Sequence, residues 1–358
     1  ALLKPLQAVS GIVERRHTLP ILSNVLLECK KGKVRFVATD LEIQIATEAE
    51  CGVKGNDAAV TTSARKLQEI LRVLPEKTNV VLEQKENRML VKAGKSHYSL
   101  QTLPAEDFPR QTQVSAQHKE KIPQKQLKRL FSLVQYAMAQ QDVRYYLNGL
   151  LLVIEGDQIK VIATDGHRLG YASIKQKQKT TPQEVILPRK AVIEICRLLD
   201  DVDEEVIINV SPNQVVFSFS NIDLTTKVID GKFPDYTRVI PSSHQKQIRI
   251  SREILQQALQ RIAILANEKF RGVRWVLTEG NLRIVCTNNE QEEALEELDV
   301  DYKGEPLDIG FNISYLLDVL NNLDCDQVEC AFGDANSSAL ITIPGSGEFK
   351  YVVMPMRI

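Results

Sequence analysis

The sequence predicts an α+β protein built from three tandem copies of one domain, each with antiparallel sheets covered on one side by two helices. Three observations predict this fold class: a turn repeated at long intervals, an amphipathic helix that opens each copy, and the alternating strands that follow it. The turn reads Thr39-Asp40-Leu41-Glu42, Thr164-Asp165-Gly166-His167 and Thr287-Asn288-Asn289-Glu290, at spacings of 125 and 123 residues. A supersecondary repeat takes about 20–50 residues, so this interval is the length of a whole domain.

The opening helix is clearest in the third copy. Ser251 is a good N-cap, and one apolar stripe follows at helical spacing: Ile254, Leu255, Ala258, Leu259 and Ile262. Residues 2–9 and 127–134 are the equivalent helices of the first two copies. Short strands at 120–122 and 248–250 precede the second and third helices, whereas the first copy has none. We therefore expect the first copy to lack its N-terminal strand, a segment of roughly ten residues by comparison with the other copies.

Strands with period-two alternation and a second helix complete each copy. The strands are predicted at 21–29 and 34–38, at 146–155 and 159–163, and at 273–279 and 282–286. The second helices are predicted at 64–74, 188–199 and 314–323, with Pro188 at a first helical position. The predicted domains are residues 1–117, 118–245 and 246–358.

Composition favours an ordinary globular protein of the cytoplasm. The 358 residues are 43% hydrophobic and 25% charged, with a formal net charge of −1, which argues against a generally sticky nucleic-acid binder. No apolar run approaches the roughly 18 residues of a membrane span, so we expect no membrane association. The cysteines lack CxxC spacing, which favours reduced thiols over disulfides or a metal site; they stand at positions 29, 51, 196, 286, 325 and 330.

The sequence gives no support to catalytic chemistry. It contains no phosphate-binding glycine loop, nucleophile elbow or HExxH pair, and its five histidines stand far apart. Asp165 and His167 could form the acid–base pair of a hydrolase, and this alternative stays open. A hydrogen-bonding turn is favoured, because the equivalent turns carry Glu42 and Glu290 in place of the histidine. We expect no catalytic residues, no metal site and no cofactor.

Several motifs taken together point to one family. They span all three copies: 18–22 (TLPIL), 141–149 (QDVRYYLNG), 163–169 (ATDGHRL), 230–236 (DGKFPDY), 267–273 (NEKFRGV) and 351–358 (YVVMPMRI). In this order they resemble the bacterial beta sliding clamps, the beta subunits of DNA polymerase III, most closely those of gamma-proteobacterial type. The resemblance implies three DNA-clamp domains that form half of a head-to-tail dimeric ring.

The resemblance also implies a function. Such a ring would encircle double-stranded DNA without reading its sequence and would tether the replicative polymerase to it, as a non-catalytic processivity subunit of the polymerase holoenzyme. Implied partners are a second copy of the chain, the polymerase alpha subunit, the clamp-loader delta subunit, and other polymerases and repair proteins that carry clamp-binding peptides of the Gln-x-Leu-Phe kind. A DNA-binding scaffold that does not encircle DNA is the remaining alternative.

Helix dimensions agree with a ring around DNA. Twelve helices packed about 9 Å apart surround a hole of roughly 25 Å, which admits a duplex roughly 20 Å wide. Basic residues of the helices and residues implied by the resemblance are the candidate DNA contacts: Arg16, Arg65, Gln141, Tyr145, Tyr146, Lys125, Lys128, Arg189 and Arg197. The second helix of the third copy, residues 314–323, carries no Lys or Arg, so we expect little DNA contact from it.

The resemblance places a partner-peptide cleft between the second and third copies. Its expected residues are Leu147, Thr164, Gly166, His167, Arg168, Leu169, Pro234, Arg238, Val239, Asn312, Tyr315, Ser338, Val352, Met354, Pro355, Met356 and Arg357. Met354 and Met356 flank Pro355, and such flexible thioether side chains suit a surface that accepts several ligands.

Opposite charges predict the dimer interface. The third copy holds an acidic cluster and the first copy a basic one, which favours head-to-tail contact between two chains. The resemblance adds an apolar patch at Ile264 and Leu265, with Tyr98 and Leu100 as apolar partners. The expected interface residues are Lys66, Arg88, Lys95, Tyr98, Leu100, Ile264, Leu265, Glu290, Glu292, Glu293 and Glu296.

Overall fold

The structure, a computed structural model, describes residues 1–14, 18–51, 57–112, 115–267 and 269–358, without the side chains of residues 177–181. The chain divides into two compact units. The first unit contains residues 1–128 and 193–228, and the second contains residues 129–192 and 229–358. The division falls within two helices, so each unit combines parts of the chain that are distant in sequence.

The described residues form six α-helices, two for each predicted copy. They are α1 (Leu3–Ser10), α2 (Ala64–Val73), α3 (Gln124–Ser132), α4 (Arg189–Leu198), α5 (Arg252–Ile262) and α6 (Ile313–Asn322). Side-chain oxygens cap three of them: Ser63 accepts a hydrogen bond from Lys66 N–H, Ser251 from Ile254 N–H and Asn312 from Ser314 N–H. These caps satisfy amide donors that a helix start leaves without a partner.

One eleven-stranded antiparallel sheet forms the first unit, in the order β5-β6-β7-β4-β1-β2-β3-β13-β12-β11-β8. Its strands are β1 (Asn24–Lys30), β2 (Lys33–Thr39), β3 (Ile43–Glu50), β4 (Ala58–Ser63), β5 (Val80–Lys85), β6 (Arg88–Ala93), β7 (Ser96–Leu103), β8 (His118–Pro123), β11 (Glu205–Val210), β12 (Gln214–Phe219) and β13 (Ile222–Lys227). Helices α1 and α2 pack against each other, α1 against β2 and β3, and α2 against β1 and β4. Leu6, Val9 and Leu67 carry the apolar stripes of these helices into the core, where they are fully buried.

Two antiparallel sheets form the second unit, in the orders β14-β19-β20-β21-β10-β9 and β17-β16-β15-β18. Their strands are β9 (Gly149–Thr164), β10 (Arg168–Pro188), β14 (Lys246–Ser251), β15 (Gly272–Thr278), β16 (Asn281–Thr287), β17 (Glu293–Asp299), β18 (Leu307–Asn312), β19 (Gln327–Phe332), β20 (Ala339–Thr342) and β21 (Phe349–Val353). Helices α5 and α6 pack against each other and against these strands. The single tryptophan, Trp275, lies in this core with its ring 5.6 Å from that of Phe311 and 6.1 Å from that of Phe332.

Three local predictions differ from the structure. The strand expected at 21–29 begins at Asn24, because Pro20–Ser23 form a 3₁₀ turn. The strands expected at 146–155 and 159–163 form one continuous strand, β9, which begins at Gly149 and pairs with β10 along both parts. Pro188 is the last residue of β10 and not the first of α4, since it lies opposite Gly149 in the sheet.

Among the described residues, no helix combines the length and the apolar character that crossing a membrane would require.

Candidate functional site

A short polar side chain at the same position holds the repeated turn in all three copies. Asp40 Oδ1 accepts from the N–H groups of residues 42 and 43, and Asp165 Oδ1 accepts from those of residues 167 and 168. Asn288 Oδ1 accepts from residues 290 and 292, because the third turn is one residue longer. A short polar side chain that bonds the backbone a few residues on is a turn former, which explains the Asp/Asn repeat. Asp165 therefore has a structural task in common with Asp40.

The strand after the turn pairs with the last strand of the following copy. In the first unit β3 pairs with β13, with Gln44 opposite Thr225, and in the second unit β10 pairs with β21, with Leu169 opposite Val352. A backbone bond closes each junction at the same place. Lys227 N–H donates to the Glu42 carbonyl over 2.9 Å, and Met354 N–H donates to the His167 carbonyl over 2.9 Å. These are two versions of one junction.

Arg168 is the most constrained side chain of the second junction. Its guanidinium donates to Asp165 Oδ2 (3.1 Å), to Asp318 Oδ2 on α6 (2.6 Å) and to the Tyr136 carbonyl (2.6 Å). It also lies 4.4 Å from the centre of the Tyr315 ring, within the range of a cation–π contact. Only 10% of its side chain is exposed. One residue thus joins the turn, α6 and the segment after α3.

The charge of Arg168 is secured by its partners. Burial lowers the pKa of the guanidinium, but Tyr351, Asp318 and Asp165 together hold it above the ordinary value. Burial raises the pKa of the Tyr136 and Tyr351 hydroxyls, so both remain neutral at physiological pH. The Tyr351 hydroxyl donates to the Tyr315 carbonyl over 2.9 Å. The junction therefore contains one fixed cation among neutral aromatic rings and two carboxylates.

A second arginine supports the turn from its exposed side. Arg144 Nη2 donates to the Asp165 carbonyl over 3.2 Å, and its Nη1 and Nη2 lie 3.0 Å from the position that a Cβ on Gly166 would occupy. Gly166 has a φ of +91°, a conformation that favours glycine. Arg144 is held by Asp142, whose pKa it lowers to about 2 through side-chain and backbone hydrogen bonds.

Apolar side chains lie beside this polar network. Leu169 and Val352, opposite each other in the sheet, belong to a buried cluster with Phe233, and Tyr236 and Ile240 pack against it. The short 3₁₀ turn Tyr236–Arg238 carries the segment that follows Pro234. On the other side the C-terminal residues leave β21, with 46% of Met354 exposed. An exposed apolar side chain next to a fixed cation can contact both the apolar and the polar groups of a short peptide.

Side-chain bonds bridge the junction of the first unit beside a cavity of about 520 Å³ lined by Leu41, Gln111 and Lys227. Gln111 Nε2 donates to the Leu41 carbonyl over 3.1 Å, and Gln111 N–H donates to Gln44 Oε1 over 2.9 Å. Lys227 forms a salt bridge with Glu42, at positions equivalent to Met354 and His167. The connecting segment lies across the turn in the first unit, whereas residues 234–240 of the second unit pack beside the buried cluster.

Most of the expected cleft residues come together in the second unit. Eight of them are joined by direct contacts in the turn, around Arg168 and at the end of β21. They are Thr164, Gly166, His167, Arg168, Leu169, Tyr315, Val352 and Met354. Leu147 is buried behind them and accepts a hydrogen bond from Ala139 N–H. Pro234, Arg238 and Val239 flank the buried cluster on the exposed side.

The remaining expected cleft residues belong to the third copy. Asn312 caps α6, Ser338 precedes β20, and the end of the chain carries Pro355, Met356 and Arg357. The Ser338 carbonyl lies 2.6 Å from His244 Nε2. Met356 N–H donates to the Gly310 carbonyl over 2.7 Å, which connects the C-terminal residues to β18.

Several expected DNA contacts of the first unit are engaged within the chain. Lys125 forms a salt bridge with Asp203 (2.7 Å), and Lys128 donates to the Leu199 carbonyl at the end of α4 (2.8 Å). Arg197 donates to the Ala8 carbonyl in the last turn of α1 (2.7 Å) and pairs with Glu194. Arg65 is exposed and pairs with Glu69 (2.8 Å). Arg16 lies outside the described residues.

The expected DNA contacts of the second unit are less uniform. Arg189 donates to the Met138 carbonyl over 3.1 Å, and burial, followed by nearby Arg168, lowers its pKa. Gln141 is exposed with a φ of +56°. Tyr145 is 59% exposed, whereas Tyr146 packs edge-to-face on it and against the buried cluster. Of the two tyrosines, Tyr145 has the ring available for stacking on a base.

The expected dimer residues lie on two sheet edges and one helix. β7 carries Tyr98 and Leu100 next to the turn with Lys95 and the strand with Arg88, and Lys66 is exposed on α2. β17 and the turn before it carry Glu290, Glu292, Glu293 and Glu296, of which Glu296 forms a salt bridge with Arg261 (2.7 Å). Ile264 is 79% exposed, and it stands with Leu265 in the short 3₁₀ turn that follows α5.

Two residues of the second junction were not anticipated as site residues. Asp318 has a sequence signal, because it stands at the sixth position of α6, as Glu69 does in α2 and Glu194 in α4. Arg144 lies in the QDVRYYLNG motif but gives no sign of its contact with Asp165, 21 residues further along the chain.

Three family models match the chain in succession. The N-terminal domain of the DNA polymerase III beta subunit matches residues 1–112, the central domain residues 121–235 and the C-terminal domain residues 237–357. The beta sliding clamp of Escherichia coli is 44% identical over 357 residues, covering the whole chain and 98% of that protein.

Solved structures agree with these matches. The DNA polymerase III subunit beta from Pseudomonas aeruginosa has a TM-score of 0.97 at 44% identity, covering 100% of this chain and 98% of that one. A second structure of that sliding clamp, bound to griselimycin, has a TM-score of 0.96 at 44% identity, covering 100% and 97%.

The fold and the arrangement of its junctions define a protein of the DNA-clamp class. The chain belongs to the DNA polymerase III beta subunit family, the beta sliding clamps. The predicted fold class and family are thereby confirmed. A beta sliding clamp is a processivity factor without catalytic activity, so the hydrolase alternative based on Asp165 and His167 is not supported.

We expect the Arg168→Met variant to destabilise the second unit by about 2 kcal/mol. Breaking a fully buried ion pair costs about 3–5 kcal/mol, and we expect less than this range because Asp318 is 40% exposed and water screens the pair. The measurement is urea unfolding followed by the fluorescence of Trp275. The control is Arg238→Met, which removes an exposed pair with Asp235 and should cost less than about 0.5 kcal/mol. Equal midpoints for the two variants would contradict the assignment.

Proposed function

We propose that two copies of this chain close head to tail into a ring that encircles duplex DNA and tethers the replicative polymerase and other factors through peptides bound at the second junction. The ring holds DNA by topology, so it slides freely while it remains attached. This function places the protein with the replication machinery in the cytoplasm.

One observation carries the proposal: among the described residues, two strand edges have no partner strand at the places where the repeat predicts a third junction. Within that part of the chain, residues 96–101 of β7 pair only with β6, and β17 pairs only with β16. β7 is the equivalent of β13 and β21, and β17 is the equivalent of β3 and the first part of β10. A second copy can supply the missing partner to each edge, which also removes an exposed template for aggregation.

The internal junctions give the register of this pairing. Thr39 lies opposite Gln44, Thr164 opposite Leu169 and Thr287 opposite Glu293, so these last residues are equivalent. The last pair of the hairpin β6–β7 is Ala93 with Ser96, and the last pair of the hairpin β12–β13 is Phe219 with Ile222. Ser96 is therefore equivalent to Ile222. By these equivalences Leu295 corresponds to Ala46, and His97 corresponds to Asp223. Because Ala46 lies opposite Asp223, we expect Leu295 to lie opposite His97 of the second copy, and Ala294 opposite its Tyr98.

Charge and apolar surface support the same contact. The register brings the acidic residues around β17, including Glu292 and Glu293, next to the basic edge with Arg88 and Lys95. It also brings exposed Ile264 near Tyr98 and Leu100, which face the helices in this arrangement. Such complementarity fixes orientation and speeds association.

The distribution of cations suits DNA that is held loosely. Salt bridges and helix ends occupy Lys125, Lys128 and Arg197, so their charge contributes to the field of the lining more than to direct phosphate contacts. Exposed Arg65 and Tyr145 are the better candidates for direct contact. Few strong phosphate contacts leave the clamp mobile along the duplex.

The partner cleft is proposed at the second junction. Met354 is 46% exposed at the end of the strand that pairs with Arg168 and Leu169, so an exposed apolar side chain stands beside the fixed charge of Arg168, which suits a short peptide that ends in Leu-Phe. The solved Pseudomonas aeruginosa clamp that is bound to griselimycin is consistent with a ligand site in this fold.

The register predicts a specific covalent dimer. The variant carrying His97→Cys and Leu295→Cys should form interchain disulfides under mild oxidation, because directly opposed residues have Cα atoms about 4.5–5.5 Å apart, within disulfide range. Non-reducing electrophoresis detects the product.

The matched control carries Ser99→Cys and Leu295→Cys, which the register separates by two residues along the strand. It should cross-link much less, as should the parent chain with its six cysteines. Preferential cross-linking of the control pair would refute the register, and the absence of a dimer in sedimentation would refute the ring.

Retention on DNA should depend on DNA topology. Protein loaded on a nicked circular plasmid by a bacterial clamp loader with ATP should co-elute with the plasmid in gel filtration and dissociate after a single restriction cut. A plasmid without the restriction site is the control. A DNA-binding scaffold that does not encircle DNA predicts equal retention before and after the cut.

Deleting residues 354–358 should abolish peptide binding and leave the dimer intact. The deletion removes the exposed apolar wall and the Met354 bond to the His167 carbonyl, both far in sequence from the proposed dimer edges. Fluorescence anisotropy of a labelled Gln-x-Leu-Phe peptide measures binding, and sedimentation measures the dimer. Lys227→Ala, at the equivalent position of the first junction, is the control and should bind peptide normally. Normal affinity in the deletion variant would refute the cleft.

A further inference from the structure

The C-terminal segment is held by few contacts after it leaves β21. Met354 N–H bonds to the His167 carbonyl, and two residues later Met356 N–H bonds to the Gly310 carbonyl over 2.7 Å. Met354 is 46% exposed and Ile358 is 66% exposed, so little apolar burial fixes the segment. Its position depends on the surface of β18 against which it lies.

Two glycines form that surface. Arg274 lies opposite Gly310 and Gly272 opposite Asn312, so Gly272 and Gly310 are on the same face of the four-stranded sheet. Val273, Trp275 and Leu277 point to the other face, into the core. The glycines therefore interrupt the outer face, where neighbouring Arg274 and Asp308 carry exposed side chains.

The space above Gly310 is filled by the C-terminal segment. A Cβ at Gly310 would overlap the Met356 carbonyl oxygen and lie 2.6 Å from Ile358 Cδ1. A Cβ at Gly272 would lie 3.4 Å from Ile358 Cδ1 and 3.8 Å from Met356 Sδ, which are ordinary contacts. Neither glycine has a positive φ, so its backbone conformation is open to other residues. A glycine inside a strand weakens the strand, and close approach of another backbone is the reason to retain one there.

We propose that Gly310, with Gly272 beside it, is a positioning residue for the partner-peptide cleft. The missing side chain lets the C-terminal segment lie directly on β18, which sets Met354 and Pro355 at the cleft wall next to the Arg168 network. This inference rests on the proposed function of the cleft. The core packs on the opposite face of the sheet, so a side chain at Gly310 displaces the segment and leaves the fold intact.

Gly310→Ala should weaken binding of a labelled Gln-x-Leu-Phe peptide about tenfold, because overpacking moves a wall that must fit the ligand closely. Gly310→Val should weaken it further. Gly272→Ala should stay within about threefold of the parent, since its contacts are ordinary. Gly347→Ala, at a glycine with nothing within 4 Å, is the matched control and should bind normally.

Two further readouts separate positioning from general instability. The urea midpoint of Trp275 fluorescence and the dimer mass should not change in Gly310→Ala. Carboxypeptidase should release Ile358 faster from Gly310→Ala than from the parent or from Gly347→Ala, as mass spectrometry of the intact chain would show. Gly272→Leu, which presses on Ile358 from the neighbouring strand, should act in the same direction and provides a second route to displacement.

Unchanged peptide affinity in Gly310→Ala would overturn the proposal, even if digestion is faster. If both Gly310→Ala and Gly272→Leu are digested at the rate of the parent, the inference that these glycines position the C-terminal segment is wrong. If the parent chain binds no peptide, the proposed peptide-binding function of the cleft is wrong. The digestion rates then still show whether the two glycines position the C-terminal segment.

Discussion

Antiparallel pairing across the junctions between copies is the constraint on which this structure depends. The strand after each repeated turn needs a partner on its open side, and the last strand of the next copy supplies it at β3–β13 and at β10–β21. An unpaired edge leaves a row of backbone donors and acceptors exposed. The turn sets where each pairing begins, so Asp40 and Asp165 fix the register through their bonds to the backbone. The third turn precedes β17, whose outer edge is where we propose that a second chain pairs.

The same junction serves two purposes according to the side chains that surround it. In the first unit the salt bridge of Glu42 with Lys227 and the bonds of Gln111 bridge the junction. In the second unit the equivalent residues are His167 and Met354, and no connecting segment is seen to bond across the described turn. There, Arg168 holds the junction together through hydrogen bonds to the turn, to α6 and to the Tyr136 carbonyl.

Basic residues on the helices combine two tasks. Arg197 and Lys128 donate to carbonyls in or after the last turn of α1 and α4, where cations also interact favourably with the helix dipole. They therefore stabilise the helix ends while keeping their charge. In the proposed ring, such cations would add to the overall field more than to tight phosphate contacts.

The sequence by itself determined the repeated domain, the six helices and the family, because these depend on local periodicity, on capping residues such as Ser251 and on motifs of neighbouring residues. It also indicated most residues of the second junction through the family resemblance. It could not determine the partners of Arg168, since Asp318 lies 150 residues away and only the pairing of β10 with β21 brings the two together. The sequence also did not indicate the contact of the C-terminal segment with Gly310, because a glycine has no side chain to suggest its role. Such contacts are decided by the tertiary structure, since they depend on which strands become neighbours and not on which residues are adjacent in the chain.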